Sequence, residues 1–204
     1  MAERTASEQN RLNAKLIDAV NGDELESVRA LVTAGADLEA RDSHRRSPLL
    51  LAAAADLCDI ARLLVTLGAD PDALDDRHDT PWLVTGVTGS VPMLEVLLPA
   101  KPDLTIRNRY GGVSVIPAAE RGHVAYVRRV VETDIDVNHV NDLGWTARLE
   151  AVILGDGSPP YQQIVRILLA AGADPAIGDQ DSVTALEHAR IKGQHEIAVL
   201  FQPV

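Results

Sequence analysis

The stretch LGADPDALDDRHDTPWLV, residues 67–84, decides the fold. Its opening triplet Gly68-Ala69-Asp70 recurs as Gly35-Ala36-Asp37 and as Gly172-Ala173-Asp174, while Asp103 closes "KPD" and Asp136 closes "DID". The aspartates therefore fall at 37, 70, 103, 136 and 174, at intervals of 33, 33, 33 and 38. Self-similarity at a fixed spacing of this length is the mark of stacked supersecondary units. The one long interval contains "GDGSPP" (155–160), so that polar interruption is an insertion of five residues within a repeat and not a linker between domains.

The same stretch shows how one unit is built. Thr80-Pro81, like Ser47-Pro48, offers a hydroxyl N-cap followed by proline at the first helical position, where the missing N–H is harmless. A short helix follows, as in "LLLAAAA" (49–55), whose small residues allow close packing. After a polar turn such as Arg121-Gly122-His123, a second helix carries apolar residues at helical spacing, as at Ile60, Leu63, Leu64 and Leu67. Glycine at 35, 68 and 172 suits a left-handed helix cap. The segment after each triplet is polar and turn-rich.

This pattern resembles the ankyrin repeat, a turn and two antiparallel helices with a T-P-L-H-x-A signature. It is carried by "SPLLLAAAA", "TPWLV", "AAERGHVAYVRRVV", "WTARLEAV", "TALEHARIKG" and the triplets, from about Leu16 to Leu200. The middle of the chain, "LLPAKPDL" to "WTARLEAVILGDG", is also similar to a group of small bacterial ankyrin proteins, which brings no biochemical function with it. The resemblance implies an all-α solenoid of about six helix-turn-helix repeats with hairpin tips, one domain over 1–204. Its boundaries would be an N-terminal cap at 1–40, repeats at 41–74, 75–107, 108–140 and 141–178, and a C-terminal cap at 179–204.

Departures from the family pattern carry expectations of their own. Lys101 and Asp134 stand at the cap glycine's position; Lys101, Pro92, Pro99 and Thr85-Gly86 in place of an Ala pair make repeat three the expected weak layer. Arg148 stands where the family buries Leu and needs a partner if buried, with Glu150 and Asp156 as candidates. The "GDGSPP" segment is expected to form a dispensable surface loop preceding the second helix of repeat five.

Composition limits function. With 46% hydrophobic and 24% charged residues the chain is globular, and its 3% aromatic content leaves the core to Leu, Val, Ile and Ala. A net charge of −11 disfavours a phosphate backbone as partner, so no nucleic acid is expected. No apolar run approaches a membrane span and "MAERTASEQNR" lacks a signal-peptide core. Cys58 is alone, which fits a reducing compartment. The expectation is a cytoplasmic monomer without membrane attachment.

The search for chemistry finds no phosphate-binding loop, no H-E-x-x-H and no cysteine pair. His44 and His78 could reach neighbouring turn tips, but two ligands do not make a metal site. His123 stands at the family's Gly-His position, where a structural hydrogen bond is expected, and "DQDSVTALE" (179–187) lacks the glycine and final glutamate of a calcium loop. No catalytic residue, metal or cofactor is expected.

The reading is a non-catalytic module that binds a protein or peptide in its concave groove. In the family, positions two, three and five of a repeat lie on the turn and thirteen and fourteen on the inner helix, all facing that groove. Here they are Arg109, Tyr110, Gly112, Glu120 and Arg121 in repeat four, and Asp142, Leu143, Trp145, Ile153 and Leu154 in repeat five. Tyr, Trp and Arg most often anchor interfaces, and Gly111 and Gly112 would let a partner's backbone come close. The alternative is a receptor for a small anionic ligand at the turn tips of repeats three and four. A basic stripe of Arg41, Arg45, Arg46, Arg77, Arg107 and Arg109 would hold the ligand.

Overall fold

The computed structural model describes residues 5–202, whose regular elements are helices, with an isolated bridge between Gly178 and Thr184. Each expected repeat becomes a pair of antiparallel helices: α1 (Ala6–Asn21) and α2 (Leu25–Thr33), α3 (Pro48–Ala54) and α4 (Cys58–Thr66), α5 (Pro81–Thr88) and α6 (Val91–Leu97). The series continues with α7 (Val115–Glu120) and α8 (Val124–Val130), α9 (Ala147–Ile153) and α10 (Pro159–Ala170), α11 (Ala185–Ile191) and α12 (His195–Val199). The helix starts follow the sequence signals. Ser47 accepts the Leu50 N–H and Thr80 the Leu83 N–H, both at 3.1 Å, with proline next in line.

The chain divides into two compact units, Met1–Thr85 with Pro92–Asp103, and Gly86–Val91 with Leu104–Val204. In the first, α1 and α3 pack side by side, as do α2 and α4. In the second, α7, α9 and α11 form one row and α8, α10 and α12 the other. Side chains between the rows make the core, among them Leu49, Leu50, Ile60 and Leu64 in the first unit and Val115, Tyr126, Leu149 and Leu168 in the second, all buried.

The 33-residue period has a hydrogen-bonded cause at both ends of the turn. After the pairs ending in α2, α4, α8 and α10 an aspartate accepts the N–H two residues on, as Asp70 does from Asp72 and Asp174 from Ala176, both at 2.9 Å. Its own N–H is capped from the preceding repeat. Glu39 accepts from Asp70, Asp72 from Asp103 and Asn138 from Asp174. Further on, an Asp or Asn folds the tip by accepting the N–H groups two and four residues ahead. It recurs as Asp42, Asp75, Asn108, Asn141 and Asp179. In Asp42 those donors and the Arg46 guanidinium outweigh burial and lower the carboxyl pKa.

Gly35, Gly68 and Gly172 take φ near +90° as caps, and Lys101 takes the left-handed conformation at φ +56°. Asp134, expected at the same position, does not. Gly86 has a positive reason to be glycine. A Cβ there would stand 2.0 Å from the Ser114 carbonyl oxygen, so close packing requires glycine at this position.

Two expectations are corrected. The insertion is not a loose loop ending at Pro160: Pro159 and Pro160 already form the first turn of α10. Gly155 is buried, with its carbonyl accepting from Lys192 and Gln194, and the Gly157 carbonyl accepts from Gln162. Arg148 is 1% exposed and pairs with neither Glu150 nor Asp156. Its Nη2 donates to the Ile177 carbonyl at 3.3 Å and the guanidinium lies 5.8 Å from the Phe201 ring centroid, while Nε and Nη1 have no hydrogen-bond partner among the described residues. Burial lowers its pKa against the opposing charge of Asp174.

Candidate functional site

The second unit presents two neighbouring turn tips. Asn108 Oδ1 folds one by accepting from Tyr110 and Gly112, and Asn141 Oδ1 folds the other by accepting from Leu143 and Trp145, at 2.9–3.0 Å throughout. The Asp142 N–H donates to the Tyr110 carbonyl at 3.0 Å and joins the two tips. With the backbone tied in this way, the side chains at the apices point outward. Tyr110 is 54% exposed and Leu143 50%, and Trp145 is half-buried. The Arg109 guanidinium covers the Tyr110 ring at 4.5 Å and donates to its hydroxyl at 3.1 Å, which stiffens an exposed aromatic.

The inner helices contribute the floor. Glu120 ends α7 half-buried, with its carbonyl accepting from the Tyr161 hydroxyl at 3.1 Å, and Arg121 beside it is exposed. On α9, Glu150 is 6% exposed, and one turn later Leu154 is 50% exposed. Glu150 Oε1 accepts from Asn141 Nδ2 at 2.8 Å, so the residue that folds the tip also reaches the helix beneath it. Burial pushes the Glu150 carboxyl up to about 7, the charge of Glu120 adds to this, and the Asn141 hydrogen bond opposes it. Burial thus decides the outcome.

The site residues inferred from sequence divide accordingly. Arg109, Tyr110, Asp142 and Trp145 share the joined tips, and Glu120 and Arg121 end the adjoining inner helix. Arg107 is exposed just before the first tip. Arg77 belongs to the other unit, beside a surface pocket of about 300 Å3 that it shares with His44, Arg46, Asp75, Asp76 and Asp79. Gly111 and Gly112 do not open the site to a backbone as expected. A Cβ on Gly111 would meet the Asp142 carboxylate at 2.3 Å, and Gly112 is buried. The smallness of Gly111 serves tip-to-tip packing, whereas a Cβ on Gly112 would make only ordinary contacts with Asn108 and Ile116.

Glu150 and Asn141 escaped the sequence-based selection, although a signal exists. Glu150 follows its turn residue Asn141 by nine, as His188 follows Asp179, and His188 bonds Asp179 at 2.7 Å. The equivalent positions in earlier repeats are Leu51, Val84 and Pro117. Polar residues thus replace apolar ones in the last two repeats only.

Little else offers chemistry. His123 Nε2 meets the Val87 carbonyl at 3.1 Å, the structural bond expected of it, and His44 faces Asp76 at 3.4 Å. Among the described residues no group of three or more His, Cys, Asp or Glu could hold a metal ion, and no helix is long and apolar enough to cross a membrane.

Antiparallel helix pairs stacked in rows within each unit, with joined turn tips, define a helical repeat protein. The ankyrin-repeat family profile matches residues 44–76. The chain is 37% identical over 174 residues to the ankyrin repeat protein YahD of Escherichia coli (strain K12), covering 85% of this chain and 70% of that protein. An ankyrin repeat domain from Acinetobacter baumannii AYE superposes with a TM-score of 0.88 at 43% identity, over 91% of this chain and 94% of the other. The ankyrin repeat protein EF0377 gives 0.89 at 34% identity, over 92% and 96%. The chain belongs to the ankyrin-repeat family.

Proposed function

We propose that this chain is a non-catalytic binding module and that a protein or peptide segment lies along the turn tips and inner-helix ends of repeats four and five. Ankyrin repeats generally serve protein–protein interaction. The observation that carries the placement is apolar exposure on a pre-organised backbone. Tyr110, Leu143 and Leu154 are each at least half exposed, beside a half-buried Trp145, while the surrounding tips are fixed by asparagine side chains. Rigid aromatic and aliphatic anchors lose little entropy on binding, and arginine at their edge adds directional contacts. Arg109, Arg121, Arg107 and Asp142 supply the polar rim and Glu120 part of the floor, and Arg77 is a further candidate contact on the other unit.

The small-anion alternative has less support. Arg46 is held by Asp42 at 2.7 Å, and Arg41 donates to two carbonyls and faces Glu39. The pocket at Arg77 carries three aspartates that would repel an anion. The test is affinity capture from the producing organism with the full chain, its Tyr110→Ala and Arg109→Ala variants, and circular dichroism to verify folding. Loss of the same captured proteins in both variants supports the placement. Full retention by both folded variants overturns it.

A further inference from the structure

Two carboxylates stand on inner helices that pack together, Glu120 at the end of α7 and Glu150 on α9, with no basic side chain paired to either among the described residues. Glu150 stands where Leu51, Val84 and Pro117 stand in earlier repeats, and it is 94% buried by its 6% exposure. Its Oε1 has one donor, Asn141 Nδ2, and its Oε2 has none among the described residues. Glu120, on the adjoining helix, is close enough to repel it. No Lys, Arg or His forms an ion pair with either residue among the described residues. Arg148 is directed at the Ile177 carbonyl and the Phe201 ring, and Lys192 at the carbonyls of Val152, Ile153 and Gly155. A buried carboxylate lacking a counter-ion is unfavourable unless something else supplies the charge.

We propose that the partner segment carries a lysine or arginine whose cationic end sits between Glu120 and Glu150, while its apolar neighbours lie over Tyr110, Leu143 and Leu154. The inference rests on the groove reading above and adds the partner's chemistry to it. The parts lie within reach of one another. Leu154 is one helical turn beyond Glu150, and Asn141 links Glu150 to the tip bearing Leu143. A metal ion fits poorly, since two carboxylates are too few and Asn141 Oδ1 already accepts two backbone N–H groups. An organic cation needs only charge and hydrogen-bond acceptors, and those are what Glu150 Oε2 and the Glu120 carboxylate provide. The free protein at neutral pH meets the same deficit partly with a proton on Glu150, which the ligand's cation displaces.

The probe is a phage-displayed library of random dodecapeptides selected on the full chain, followed by calorimetry with the enriched sequence. Peptides that Tyr110→Ala fails to bind should share one Lys or Arg flanked by apolar residues. Replacing that residue by Met should weaken binding to the wild type by about tenfold or more, as for a desolvated charge pair losing one partner. Glu150→Gln and Glu120→Gln should weaken the basic peptide similarly yet leave the Met version unaffected. Tyr110-dependent peptides without a basic residue, or indifferent to both glutamine variants, would overturn the basic-partner inference and leave the groove standing. Failure to recover any Tyr110-dependent peptide would overturn the groove reading, and this inference with it.

Discussion

Replacing Glu150 by glutamine should stabilise the protein at alkaline pH and leave it unchanged in acid. In the folded chain the Glu150 carboxyl is raised from 4.5 to about 7, by burial first and by Glu120 second. A group whose folded pKa lies above its unfolded one binds its proton more tightly in the native state. The stability this adds is therefore fully present below pH 4.5 and is lost as the pH climbs to about 7. The interval corresponds to roughly 3 kcal/mol at 1.36 kcal/mol per unit. Although the residue is 6% exposed, its unbonded Oε2 still reaches solvent, so screening trims this figure. Glutamine keeps the shape and the acceptor for Asn141 and replaces Oε2 by an amide that can donate to Glu120, so it mimics the protonated acid. Urea unfolding of both proteins at pH 4 and pH 8, followed by circular dichroism, isolates the effect as a difference of differences. The variant should exceed the wild type at pH 8 by about 2–3 kcal/mol and match it at pH 4. Hydrogen exchange in α9 should slow at pH 8 relative to wild type, after correction for intrinsic rates. Identical pH dependence in the two proteins would mean that Glu150 ionises as a hydrated side chain does, and would remove the buried-charge reasoning.

Arg148→Leu should raise the urea midpoint, by about 1–4 kcal/mol of stability, because an apolar residue replaces a buried guanidinium with two unbonded nitrogens; a lower midpoint would refute this. Gly86→Ala gains up to about 1 kcal/mol of helix propensity but places a Cβ 2.0 Å from the Ser114 carbonyl. Overpacking should win by about 1–3 kcal/mol, and an unchanged or higher melting temperature would show that the backbone yields freely. Lys192→Met removes a cation from three carbonyls at the end of α9 and should cost about 1–2 kcal/mol. Its hydrogen exchange should quicken across 152–158, and unaltered protection there would contradict the role given to Lys192. Deleting 156–160 should destabilise the second unit clearly, since the cut removes both prolines of the first turn of α10 and the Gly157 and Ser158 carbonyls that accept from Gln162. A melting curve like that of the wild type would restore the dispensable loop.

The repeat was legible because its determinants are local and recur. A glycine cap, a hydroxyl before proline and apolar residues at helical spacing each act within one turn of chain, and every repeat states them again. What could not be read depends on the second neighbour. Nothing around Gly86 in sequence announces the Ser114 carbonyl, nor does "GDGSPP" announce that Lys192 and Gln194 will bind it from 37 and 39 residues away. Arg148 was recognised as out of place, but its surroundings are set by the Ile177 carbonyl and by Phe201 from the following repeat. The candidate site falls between these cases. Its exposed members, Tyr110, Leu143 and Leu154, occupy positions that the repeat pattern alone turns outward. Its charge does not, because Glu150 becomes unusual only when Asn141 closes on it and Glu120 is brought alongside from another repeat. In a stack of near-identical layers, residues serving the fold repeat with the period, and a residue that breaks it must be accounted for by its neighbours. Lys192 and His188 meet groups within the chain that explain them, three carbonyls and Asp179, whereas Arg148 is only partly met, by one carbonyl and a ring. Glu150 meets one amide and a like charge, which is why an external cation is the economical completion of that layer.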